Sequence, residues 1–187
     1  MWWPVLSEPG EADGLLLFLV DSRLGEHSVG WLRELASRAR IVIVAAPCAT
    51  DRDGVVCWSV PDATTALEWA ADNARQLEAD PARLLIGGNG LGADLATAVA
   101  AHAAAAGWPL LERRILLPTE PPDGASPPGI APATMATFGD ALWPVSDDVE
   151  RLHYADASDP SLVLDVARSL VVTPVSACAG HPTPARL

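Results

Sequence analysis

Arg83-Leu84-Leu85-Ile86-Gly87-Gly88-Asn89-Gly90-Leu91-Gly92-Ala93-Asp94-Leu95 is the stretch that decides the fold. Arg83 to Gly87 is a short apolar run closed by glycine, and it reads as a buried strand. Leu91 opens an alanine-rich segment that predicts a long helix to about Ala106. Only Gly88, Asn89 and Gly90 stand between the two, so the chain must reverse in a sharp turn. Glycine on both sides of that turn lets backbone cross backbone, because no Cβ stands in the way.

Working outward, strand-like and helix-like segments alternate. Gly14 to Val20 is a continuous apolar run, as expected of a strand buried on both faces. His27 to Arg38 has Leu32, Leu35 and Ala36 at helical spacing, and Ile41 to Ala45 is a β-branched strand. Pro47 to Val60 reads as a loop broken by Asp51-Arg52-Asp53-Gly54. Asp62 is placed to cap a helix to about Glu78, with Leu67, Ala70, Ala74 and Leu77 on one face and Asp80-Pro81 ending it. Arg114 to Pro118 predicts a fourth strand, Thr119 to Ala131 a proline-rich surface loop, and Ala133 to Phe138 a fifth strand. A helix is expected to start within Asp147 to Tyr154, another runs from Leu162 to Leu170, and Val171 to Ala177 is the last expected strand. The alternation predicts an α/β class: one domain over residues 1–187, a mainly parallel sheet of about six strands, and helices on both faces.

Half of the 187 residues are hydrophobic, 19% are charged and the net charge is −12, with arginine supplying every basic side chain. That balance suits a packed core and argues against nucleic-acid or anionic-membrane partners, which need a positive footprint. No apolar run reaches the ~18 residues of a membrane span. The start, Met1-Trp2-Trp3-Pro4, lacks the basic and apolar regions of a secretory signal, so a cytoplasmic location is expected. Cys48, Cys57 and Cys178 show no metal-ligand spacing, and reduced thiols are expected rather than a Cys48–Cys57 disulfide across the predicted loop. No metal or cofactor is expected. Trp31 and Trp69 fall on predicted helices and are expected in the core, while Trp2, Trp3, Trp58 and Trp143 fall in termini or loops, where they would line a pocket or an interface.

A strand, a sharp turn and a helix flanked by small residues is also the geometry of a nucleophile elbow. The run Ala66-Leu67-Glu68-Trp69-Ala70-Ala71-Asp72-Asn73-Ala74, then Ala79-Asp80-Pro81-Ala82-Arg83, then the glycine turn, resembles the hormone-sensitive-lipase-like esterases and acetyl-esterases of the alpha/beta-hydrolase superfamily. The resemblance covers Pro61 to Pro118 and implies an alpha/beta-hydrolase fold. Where that family's elbow reads Gly-Asp-Ser-Ala-Gly-Gly, this chain has Gly88-Asn89-Gly90-Leu91-Gly92-Ala93, which sets Gly90 at the nucleophile position. The family's His-Gly-Gly-Gly oxyanion loop is replaced by Asp21-Ser22-Arg23-Leu24-Gly25 after the first strand, and no N-terminal cap is expected before Gly14. Gly139-Asp140 through Pro144 resembles the segment carrying the family's acid, which makes Asp140 the implied acid. His181, after the last expected strand, is the implied base, at a longer separation from Asp140 than is usual in the family.

These residues frame two functional expectations. The first is a degenerate hydrolase, a pseudoenzyme that binds a small apolar molecule or a protein partner through Gly88, Asn89, Leu91, Asp21, Ser22 and Trp143. The second is an atypical enzyme: an esterase-like hydrolase with another nucleophile such as Ser22, or a lyase, isomerase or cyclase using an Asp140–His181 dyad as general base. On the bland reading, His181 is a solvated tail residue, and His27, His102 and His153 are surface or helix residues. Gly88-x-Gly90-x-x-Ala93 also fits a dinucleotide fingerprint, although the following strand lacks the acidic residue that reading needs, Glu120 being the nearest. A homo-oligomer is compatible with the sequence.

Overall fold

The computed structural model describes residues 12–21, 27–48, 59–119, 130–138, 149–154 and 161–171, without the side chains of 27–29, 138 and 171. Its elements are β1 Gly14–Asp21, α1 His27–Ala39, β2 Ile41–Cys48, α2 Val60–Asn73, β3 Leu84–Asn89, α3 Leu91–Ala106, β4 Arg113–Leu117, β5 Ala133–Phe138, β6 Val149–Tyr154 and α4 Ser161–Val171. The six strands form one sheet in the order β2-β1-β3-β4-β5-β6, and every neighbouring pair is parallel. The expected α/β architecture is therefore present.

β1 explains its own sequence. Successive side chains of a strand point to opposite faces, and helices cover both faces of this sheet. Leu15, Leu17 and Leu19 join Val42 and Ile86 beneath α2 and α3, whose Leu67, Ala70, Ala96, Val99 and Ala100 complete one core. Leu16 and Phe18 join Ile41, Ile43, Leu85 and Ile115 beneath α1 and α4, with Leu32, Leu35, Val166 and Leu170. Each leucine so buried contributes about 2 kcal/mol, which makes β1 the hydrophobic spine of both layers. Trp31 packs edge-on against Phe18 with ring centroids 5.4 Å apart. Trp69, expected in the core, is 47% exposed. The cause is angular: Ala63, Leu67 and Ala70 face the sheet, and Trp69, two positions past Leu67, is turned away from it.

Local chemistry moved several boundaries. β2 runs through Pro47 to Cys48, since it is the outer strand and a missing N–H is tolerated at a sheet edge. The cap of α2 is Ser59, and Asp62 is the residue that completes a capping box with it. The Ser59 Oγ and backbone N–H both donate to Asp62 Oδ2, at 2.6 and 2.9 Å, which holds the exposed Asp62 carboxyl below its ordinary range. α2 stops at Asn73, followed by one tight turn over Arg75–Leu77 and a left-handed Glu78, φ 58°.

The helix expected to start within Asp147 to Tyr154 is a strand, β6, in register with β5 from Ala133↔Val149 to Phe138↔Tyr154. Glu150, Leu152 and Tyr154 alternate along it, but only Leu152 reads as plainly apolar. Glu150 pairs with Arg113 at 3.2 Å and the Tyr154 hydroxyl donates to Asp165 on α4 at 3.2 Å. Tertiary pairing overrides the local pattern here. The strand expected over Val171 to Ala177 does not begin at Val171, which closes α4, and 172–177 lie outside the described residues.

Candidate functional site

The turn between β3 and α3 is built from its glycines. A Cβ on Gly88 would strike the backbone of Gly92, and a Cβ on Gly92 would strike the carbonyl of Leu19 in β1. The chain therefore crosses itself and lies on the strand beside it at a distance only glycine permits. Gly90 sits at the apex with φ 50° and ψ −129°, a conformation costly to any residue with a Cβ. Its N–H donates to the Leu117 carbonyl at the end of β4 (2.9 Å), and its carbonyl accepts from the Ala93 N–H (3.0 Å).

Asp21, the last residue of β1, reaches into this turn. Its carboxylate Oδ2 accepts the backbone N–H of Leu91 at 3.2 Å, and its own N–H donates to Asn89 Oδ1 at 2.8 Å. Asp21 is 1% exposed and Asn89 4% exposed. A Cβ on Gly90 would stand 2.6 Å from Asp21 Oδ2 and 3.3 Å from both Asp21 Cβ and Cγ. The carboxylate thus fills the space where a side chain at the apex would start. It also meets the positive end of α3, a 16-residue helix whose first N–H groups have no partner within the helix.

Cys48, paired in register with Asp21 at the end of β2, is a buried free thiol. Burial, and then the negative charge of Asp21, pushes its pKa up to about 11. Cys48 was absent from the residues expected at the site. The available signal was positional: both residues close adjacent parallel strands at the edge where the turn lies.

Of the residues expected from sequence, Asp21, Asn89, Gly90 and Leu91 come together, with Gly88 as the crossing point beneath them. Ser22, Asp140, Trp143 and His181 lie outside the described residues. The placement of His181 rested on a last strand over 171–177. Val171 closes α4, and residues 172–187 lie outside the described residues. His153 is exposed on β6, three strands from β3 and so about 14 Å away across the sheet, with Nδ1 3.0 Å from Thr137 Oγ1. His102 is exposed on α3. The dinucleotide reading meets a physical obstacle, because a buried carboxylate already holds the Leu91 amide that a phosphate would seek. Among the described residues no group of histidine, cysteine and carboxylate side chains is arranged to hold a metal ion, and no helix is long and apolar enough to cross a membrane.

The family description of the alpha/beta hydrolase fold matches residues 22–173, and the chain belongs to that family. Solved structures agree on the fold. A thermophilic, thermostable carboxylesterase cloned from a metagenomic library shares 17% identity, with 87% of this chain and 81% of that one covered at a TM-score of 0.65. An esterase from Pyrobaculum calidifontis shares 16% identity over 87% and 77% of the two chains at 0.67. A thermostable esterase from Pseudomonas putida shares 17% over 90% and 75% at 0.65. No match is found among curated proteins.

Proposed function

We propose that this chain is a degenerate alpha/beta hydrolase, a pseudoenzyme that keeps the elbow as scaffold and acts by binding a small apolar molecule or a protein partner. One observation carries the reading: at the apex of the turn stands Gly90, and the space above it is taken by the Asp21 carboxylate. A covalent hydrolase needs a side chain that attacks and amides free to hold the developing oxyanion. Gly90 supplies no attacking atom, and the Leu91 amide, the donor that follows the nucleophile in an elbow, is engaged by Asp21.

The esterase neighbours favour a second reading, an atypical enzyme of the same fold that uses Asp140 and His181. Turnover of short-chain acyl nitrophenyl esters separates the two. The proposal expects no hydrolysis above background from the unmodified protein. Hydrolysis that His181→Ala abolishes would replace it with the second reading. Short-chain acyl anilides, which carry the same apolar groups, then test binding. A saturable change in tryptophan fluorescence supports a small-molecule ligand, and a flat titration leaves the protein partner.

A further inference from the structure

We propose that Asp21 is an internal plug: its carboxylate holds the Leu91 amide and the space over Gly90, and closes the turn to the carbonyl or oxyanion of any small molecule. The inference rests on the reading that the turn carries no covalent chemistry, and it names what occupies the turn instead.

Four observations converge on Asp21. Gly90 caps α3 without a side chain, so the helix receives no cap from its own neighbouring residue. The acceptor for the Leu91 N–H comes instead from β1, 70 positions earlier in the chain. The carboxylate is fixed in place, since the backbone N–H of the same residue is pinned by Asn89 Oδ1 at 2.8 Å and the side chain is all but sealed from water. Finally, Oδ2 lies 2.6 Å from where a Cβ on Gly90 would be, so the plug and a side chain at the apex exclude each other. A glycine at the apex and a carboxylate on β1 are therefore one device. An anion at a helix N-terminus is favourable, and here the protein supplies that anion from its own chain.

If Asp21 is a plug, taking its carboxylate away opens a hole shaped for a free carboxylate. Asp21→Gly removes the whole side chain and should accept acetate. Asp21→Ala keeps Cβ and should prefer formate, because the methyl of acetate would collide with it. Thermal unfolding of the full chain is followed in each anion against sodium chloride at matched ionic strength. The expected result is a saturable, size-selective rise in Tm of about 3 °C in the variants, with none in the unmodified protein. Variants that respond no more than the unmodified protein overturn the proposal. Should a variant not fold in chloride, recovery of far-ultraviolet dichroism on refolding in acetate or formate is the same test, and failure to recover overturns the proposal equally. Ester turnover by the unmodified protein would end the pseudoenzyme reading without touching the anion result. A flat anion response with no turnover ends the plug proposal alone.

Discussion

Adding one methyl group at the apex, Gly90→Ala, tests the structural account directly. The added Cβ would lie 2.6 Å from Asp21 Oδ2 and 3.3 Å from Asp21 Cβ and Cγ. Asp21 is 1% exposed, so its carboxylate has no solvent to retreat into. Turning it aside breaks the 3.2 Å bond from the Leu91 N–H, and a hydrogen bond to a charged acceptor is worth about 1.5–3 kcal/mol. Holding alanine at φ 50° and ψ −129° adds about 1–3 kcal/mol. Together these effects cost about 4 kcal/mol, a large part of the 5–15 kcal/mol by which a domain is usually stable. In equilibrium urea unfolding with a slope near 2 kcal/mol/M, the midpoint should fall by about 2 M. In an Asp21→Gly background the collision is gone and only the backbone strain remains, so the double variant should lose at least about 1.5 kcal/mol less than the two single losses added together. A Gly90→Ala protein within about 1 kcal/mol of the original, or a cycle with no coupling, would refute this geometry.

Four further outcomes follow. Gly30→Ala should stabilise the protein by about 0.5–1 kcal/mol in the same urea assay, because Gly30 is an exposed residue of α1 and a Cβ there meets nothing within 4 Å. Cys48, with its pKa near 11, stays a protonated thiol at pH 8. Its alkylation by iodoacetamide, read peptide by peptide in a mass spectrometer, should therefore be at least about 100-fold slower than in urea. Asp21→Asn should bring that pKa down only part of the way, since burial is the larger cause and Asp21 the smaller. Ser59→Ala should lower Tm at pH 6 by removing the capping box. Asp62 is held more acidic in the folded state than in the unfolded one, so its contribution is present above the ordinary aspartate range and is lost as pH falls through the folded value. The Tm gap between Ser59→Ala and the original should shrink below about pH 4, and a gap constant from pH 6 to acid would count against the capping box.

The parts of the fold that declared themselves are those buried on both faces. β1, β3 and α3 are legible because a continuous apolar run, a glycine turn and an alanine-rich helix leave few alternatives. β5 and α4 are legible for similar reasons of burial. β6 is not legible because an outer strand needs only some of its residues to be apolar, and Glu150 gains its place from Arg113, a partner on another strand. The start of α2 lies three residues before the expected cap because Ser59 and Asp62 are both good capping residues, and only the reciprocal bonds distinguish their roles. At the site, the glycine turn was visible from spacing, and Asp21 was visible as a departure from an expected glycine loop. What the sequence did not disclose is that Asp21 and Gly90 occupy one space, because that depends on how far β1 extends beside β3 in the parallel register Leu15↔Leu84 to Leu19↔Gly88.

The sheet order has a consequence for how the chain is made. β1 pairs with β2 on one side and β3 on the other, and both neighbours come later in the sequence. A ribosome therefore delivers β1, the most apolar of the described strands, before the two strands that pair with it. At roughly 5–20 residues per second, several seconds pass between the emergence of Leu19 and that of Gly88. During that interval Leu15 to Leu19 is an open edge rich in leucine, the kind of segment that seeks any other extended strand. Holding that segment apart until residue 89 has been synthesised is then the step on which the yield of folded protein turns, and slowing translation between β2 and β3 should favour aggregation over folding.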